Sequence, residues 1–256
     1  MFAYCRELAT MSCANWNTQN VTNMSNMFYY CNKLSNLILT KWDTKNVTSM
    51  YKMFQYCEKL TDINLYNWNV QNVTDMGYMF YGCKSLTSLD LSSWNTQNVT
   101  KMIAMFYDCN SLINVNLSGW NTQNITNMQG MFYKCKSLKS LDLSSFNTNN
   151  VTLMGGYHGN AYMGTPFGMF EECSSLSDLD ISNFDTSKVE SMENLFNGCS
   201  NLKTLKLGEK FTFIVKTDTY YYLPSGTWYS ADGTAYTSDG TTCTIPNNKA
   251  DTYTRR

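Results

Sequence analysis

The sequence holds a single histidine, His158, among 256 residues. That scarcity excludes a histidine-based metal cluster and a histidine-dependent nucleophilic triad. No Cys-x-x-Cys pair occurs, which removes the usual redox and zinc signatures. Lys and Arg number 19 against 20 Asp and Glu, a net charge of −1, and no basic stripe forms. A nucleic-acid partner is therefore not expected. No apolar run is long enough to cross a bilayer. No export signal is seen, and Met1-Phe2 already fills the Met-Phe position of a repeat unit. The expectation is a chain that starts inside a repeat, with its natural N-terminal part and any export signal lying outside it.

What is present is a period. Cys5, Cys31, Cys57, Cys83, Cys109 and Cys135 are 26 residues apart, as are Cys173 and Cys199. The interval from Cys135 to Cys173 is 38 residues and so carries 12 extra. Trp16, Trp42, Trp68, Trp94 and Trp120 keep the same spacing, and Phe146 and Phe184 continue it. A fixed period of this length predicts a solenoid, in which each unit buries its apolar face against its neighbours.

Within the unit from Cys83, Leu86, Leu89 and Leu91 alternate with polar residues, the pattern of a short strand with one buried face. Val99, Met102, Met105, Phe106 and Cys109 then follow a helical spacing, with Thr100 placed to cap it. One or two turns of α- or 3₁₀-helix are expected there. Six Met pairs recur in this column, and they read as core packing rather than a copper site. The linker Trp-Asn-Thr-x-Asn-Val-Thr is expected to form a turn. A ladder of Asn17, Asp43, Asn69, Asn95, Asn121 and Asn147 is expected inside it. Asn20, Asn46, Asn72, Asn98, Asn124 and Asn150 match a glycosylation acceptor, but recurrence in every unit favours a structural role.

The pattern Cys-x-x-Leu-x-x-Leu-x-Leu through Trp-Asn-Thr-x-Asn-Val-Thr to Met-x-x-Met-Phe resembles the BspA-like bacterial leucine-rich-repeat surface proteins, in their 26-residue-repeat branch. The resemblance covers roughly residues 1–208. It implies a secreted or cell-surface protein, with adhesion or host contact as its role and no catalytic residues to carry over. Lys188 and Glu190 depart from the linker pattern.

The expected fold is an α/β solenoid. It is a leucine-rich-repeat-like stack of 26-residue strand–turn–short-helix units with a parallel sheet over 1–208, closed by a small β-rich C-terminal cap over 209–256. Asp232-Gly233 between aromatic arms is a hairpin signal in that cap. The eight periodic cysteines are expected to be free thiols, because translation along the stack keeps their Cβ directions parallel whereas a disulfide needs them to converge. Cys13 falls in a leucine column and reads as core, while Cys243 has no obvious partner.

No acid, base and nucleophile converge from the repeated columns, so the chain reads as a non-enzyme without cofactor or metal. The functional expectation is a monomeric extracellular repeat protein that binds a protein or glycan. A structural spacer, or cell-wall glycan binding through the aromatic C-terminal module, is the alternative. Three surfaces are candidates. The insertion at 155–168 offers Tyr157, His158, Tyr162 and Phe167 on the helical side. A tyrosine stripe beside the cysteines includes Tyr81, Tyr107 and Tyr133. The strand face is polar and mildly acidic, with Asp62, Asp90, Asp142, Asp178 and Asp180. Asp142 and Asp180 lack a neutral spacer between them and could share a cation. Aromatic anchors carry most contact energy in typical interfaces, which favours the helical side.

Overall fold

The computed structural model describes residues 1–156, 167–216 and 220–256. The leucine columns form parallel strands whose partners lie one period apart. β1 (Thr10–Ser12) pairs with β2 (Asn36–Ile38), β3 (Ser88–Asp90) with β4 (Asn114–Asn116), and β5 (Asp178–Ile181) with β6 (Thr204–Leu207). Leu89 faces inward and is buried, while Ser88 and Asp90 on either side are exposed, as alternation demands. The sheet comes in three pieces rather than one, because residues 62–66 and 140–144 carry no strand.

The expected helix is absent: no helix occurs among the described residues. The Met-x-x-Met-Phe segment is instead a ribbon of overlapping turns. In one unit the amides of Met53, Gln55 and Cys57 donate to the carbonyls of Met50, Lys52 and Phe54. The alternate amides of Met50, Lys52, Phe54 and Tyr56 donate along the stack to Asp75, Gly77, Met79 and Tyr81. Lys52 (φ 58°) and Tyr56 (φ 62°) sit in the left-handed region, which a right-handed helix cannot contain. Inter-unit hydrogen bonds thus replace intrahelical ones and hold two strained residues per unit. The turns place Met50, Met53, Phe54 and Cys57 inward at the same spacings a helix would. Thr100 caps nothing; its hydroxyl donates to the Thr74 carbonyl, 3.2 Å away in the preceding unit.

The core consists of identical side chains stacked on one another. Phe28, Phe54, Phe80, Phe106 and Phe132 lie with neighbouring ring centroids 5.6–5.8 Å apart, and Phe170 and Phe196 continue the column. Every cysteine is free, and all but Cys5 and Cys243 are buried. The ladder thiols also make polar contacts: Cys83 Sγ donates to the Phe54 carbonyl at 3.2 Å, and the same contact recurs from Cys31 to Cys199. Burial raises these thiols, Cys31 to about 11 and Cys199 to about 12.

Two polar ladders clamp the linkers, and neither is the expected one. Asn17, Asp43, Asn69, Asn95, Asn121 and Asn147 each accept the amide two residues on, which closes a local turn. The ladder between units is carried by the other asparagines and by threonine. Asn46, Asn72, Asn98, Asn124 and Asn150 donate Nδ2 to a carbonyl in the preceding unit at 2.7–2.8 Å. Thr96 Oγ1 donates to the Asn121 carbonyl at 3.0 Å and accepts the Asn121 amide at 2.9 Å.

The segment after residue 208 meets the last unit on three sides. β9 (Asp251–Arg255) pairs antiparallel with β6, and β7 (Gly226–Tyr229) and β8 (Ala235–Ser238) extend that sheet in the order β5-β6-β9-β7-β8. Tyr220 and Tyr221 carbonyls accept the ribbon amides of Asn194 and Phe196. The Thr212 carbonyl accepts the Thr186 hydroxyl at 3.1 Å.

Candidate functional site

The repeat is interrupted between Met154 and Met169, and the flanks of that interruption are held by Gln129 and Glu171, residue types that no other unit carries at those positions, apart from Gln55 as a neutral counterpart in the Glu171 column. Gln129 is fully buried, and its Nε2 donates to the carbonyls of Gly155 (3.2 Å) and Gly156 (2.7 Å). Asn127 Nδ2 donates to Gln129 Oε1 at 2.9 Å, which fixes the amide's orientation. On the other flank, buried Glu171 accepts the Gly168 amide at 3.0 Å and Asn197 Nδ2 at 3.1 Å. Burial pushes the Glu171 carboxyl up, partly offset by those hydrogen bonds. A Cβ on Gly155 or Gly168 would lie 1.9 Å from the Glu193 or Asn194 carbonyl oxygen, so both glycines are required by close packing on the next unit.

Tyr157, His158 and Tyr162 lie outside the described residues. Phe167 is 5 % exposed and packs edge-on against Tyr107 (5.2 Å) and Tyr133 (5.5 Å). It rests over Gly130, where a Cβ would come 3.2 Å from its own. The insertion therefore does adjoin the tyrosine stripe, but Phe167 seals that junction rather than projecting from it.

The stripe is a continuous stack. Tyr81 and Tyr107 lie 4.2 Å apart at 7°, and Tyr107 and Tyr133 4.3 Å apart at 29°. Tyr4, Tyr30 and Tyr56 extend it from the neighbouring column, and the column changes at Gly82, over which the Tyr56 ring lies. Tyr81 and Tyr133 are buried, and ring faces along the stripe are occupied by one another. Burial raises Tyr56, Tyr81, Tyr107 and Tyr133 above the ordinary phenol value.

On the strand face, Asp90, Asp142 and Asp180 accept the amides of Ser92, Ser144 and Ser182 at 2.9–3.1 Å, which holds their carboxyls below the usual range. Asp180, expected to share a cation with Asp142, pairs with Lys206 on the neighbouring strand, whose ammonium lies 2.9 Å away. Asp178 accepts the Ser177 hydroxyl, and Asp62 lies at a position without strand pairing. Shallow recesses of about 380 and 660 Å³ adjoin at Lys206 and Thr252, where β9 meets the last units.

The C-terminal aromatics offer little open ring surface. Trp228 is buried, donates Nε1 to the Pro224 carbonyl, and lies under Arg255. Arg256 lies over Tyr229, and Lys249 over Tyr236.

A family profile described as "Mycoplasma protein of unknown function, DUF285" matches residues 1–112, 85–163 and 165–212. The chain belongs to this DUF285 family. No curated protein matches it. Among solved structures it is similar to a leucine rich cell surface protein from Faecalibacterium prausnitzii A2-165, at 18 % identity and TM-score 0.37, over 80 % of this chain and 61 % of that one. A second likeness is to the TLR13–ssRNA13 complex, at 16 % identity and TM-score 0.23, over 78 % of this chain and 36 % of that one. The chain thus spans under two thirds of either structure.

Sequence reading missed the residues that build this DUF285 chain's one interruption. Gln129 stands in the column of Ser25, Tyr51, Gly77 and Ile103; Glu171 stands in that of Tyr29, Tyr81, Tyr107 and Tyr133. The Gln129 column varies from unit to unit and carried no signal, whereas Glu171 departs from a mostly tyrosine column that is broken also at Gln55 and Asn197.

Proposed function

We propose that this DUF285 chain is a non-enzymatic, leucine-rich-repeat surface protein of the BspA-like kind that binds an extracellular protein or glycan through its turn-ribbon face. Residues 1–208 are its solenoid, and residues 209–256 cover the end that would otherwise expose apolar surface. The observation that carries the reading is the anchored interruption. Gln129, Glu171, Gly155 and Gly168 fix both flanks of the insertion to the stack. A loop that is merely tolerated needs no such anchoring. Extracellular placement rests on the resemblance of the repeat sequence.

The test is a glycan and extracellular-protein binding screen on the full chain and on a variant lacking 12 residues within 155–168. The deletion restores the period, so the variant should fold and lose affinity for whatever the full chain binds. Unchanged affinity after deletion, with loss on Asp90→Ala and Asp142→Ala, would place the contact on the strand face. No binding in either chain would leave a structural spacer.

A further inference from the structure

One recess on the ribbon face adjoins Gly77, which stands in a column that also holds Gly155. The columns of the ribbon carry Ser25, Tyr51, Ile103 and Gln129 at equivalent positions, and Gly77 in the unit between Tyr51 and Ile103. Gly77 does not adopt a positive φ, so the backbone does not call for glycine. A Cβ there would meet Asp75 Oδ1 at 3.3 Å, Ile103 Cγ2 at 3.4 Å and Tyr51 Cδ2 at 3.5 Å. Those three residues, close about Gly77, also line the adjoining space. It is a recess of about 410 Å³, within the ~300–1,000 Å³ of small-molecule sites.

Its chemistry is mixed. Tyr51 and Tyr78 stand at 89° to each other, 5.8 Å apart, and with Ile103 give an apolar wall. Lys52 does not line the recess but lies over both rings, 4.9 and 5.4 Å from their centroids, which steadies the pair. The lining also carries hydrogen-bonding groups: Asp75, Thr100, Lys101, Thr126 and Asn127. Asp75 and Lys101 are paired at 3.6 Å, so the site is charge-balanced and selects neither a cation nor an anion. Asn127 also holds Gln129, the clamp on the insertion's base, which joins the recess to that flank.

We infer that this recess binds a neutral sugar residue of a glycan, its apolar ring face against Tyr51, Tyr78 and Ile103 and its hydroxyls toward Asp75, Lys101 and Asn127. The inference rests on the ligand-binding reading above and names the site and ligand class for that face.

The experiment is an NMR titration of the full chain with glucose, galactose, mannose and N-acetylglucosamine, each alone. At least one sugar should shift the amides of Gly77, Tyr78, Ile103 and Asn127. Gly77→Ile adds a side chain against Tyr51, Asp75 and Ile103 and should keep amide dispersion while weakening that sugar at least tenfold. Tyr78→Ala should weaken it as well. Sugar-induced shifts elsewhere, unchanged affinity in Gly77→Ile, or no response to any of the four sugars would overturn the inference. A chain that fails here but binds a protein in the screen retains the broader reading, so the two failures are distinguishable.

Discussion

Two neighbouring junctions of the stack differ at the threonine rung. Between the units starting at Cys83 and Cys109, Thr96 clamps both the amide and the carbonyl of Asn121, Trp94 stacks on Trp120 at 6.3 Å, and β3 pairs with β4. Between the units starting at Cys57 and Cys83, Val70 stands where Thr96 would, and the clamp on Asn95 is missing. A recess of about 300 Å³ opens there between Tyr66, Val70, Ser93 and Asn95. In the same unit, residues 62–66 form no strand, and the buried Trp68 Nε1 finds no partner although Trp42, Trp94 and Trp120 each reach a carbonyl. The buried phenyl column nonetheless passes through unbroken: Phe80 stacks on Phe106 at 5.7 Å. Apolar columns keep the stack continuous, and polar rungs decide how tightly each junction closes.

The largest perturbation should act on what both junctions share. The ladder thiols are raised from an ordinary 9.0 to about 11 at Cys31 and about 12 at Cys199. A raised folded value means the native state keeps its protons while the unfolded chain loses them above pH ~9. Stability from these thiols is therefore complete below pH ~9 and is lost as pH rises toward the folded values. Denaturant midpoints should be flat from pH 7 to 8.5 and fall steeply above 10. A midpoint that stays level to pH 11 would contradict the buried-thiol account.

Phe80→Ala cuts the phenyl column at the Val70 junction, and Phe132→Ala cuts it at the regular one. Each should cost about 3–5 kcal/mol in chemical denaturation. Similar losses at the two sites would support a core that is uniform across them, and a loss under ~1 kcal/mol at either would reject it.

The smaller effects separate the junctions. Thr96→Val leaves the Asn121 amide and carbonyl without their clamp and should cost about 1–3 kcal/mol. Val70→Thr supplies the missing clamp and should add about 0.5–1.5 kcal/mol. If Val70→Thr destabilises the chain, the empty rung is not what loosens that junction.

The period, the strand columns and the inward side chains were legible because cysteine, leucine, tryptophan and methionine mark them by type. The ribbon was not. Spacings of three and four residues suit a helix and a run of overlapping turns equally, and the deciding left-handed positions mix Lys52, Tyr56, Tyr78 and Ala104, types with no preference for that region, with Asn26, Asp108 and Gly82, so no residue type marks them. The direction of the asparagine ladders was hidden for a similar reason. Two asparagines in one linker have the same chemistry, and only the folded stack shows that Asn95 bonds locally while Asn98 reaches across. Of the candidate site, the insertion's position was visible but its clamps were not, because Gln129 draws its meaning from glycines a full period away and Glu171 from Asn197 in the next unit as well as from Gly168.

Native-state hydrogen exchange at two equivalent amides tests the central claim most directly. Asn121 donates to Thr96 Oγ1 at 2.9 Å, whereas Val70 offers Asn95 no such acceptor. The Asn95 amide should exchange at least about tenfold faster than that of Asn121, and Val70→Thr should slow it to the Asn121 rate. Equal protection at the two amides in the unmodified chain would contradict the account.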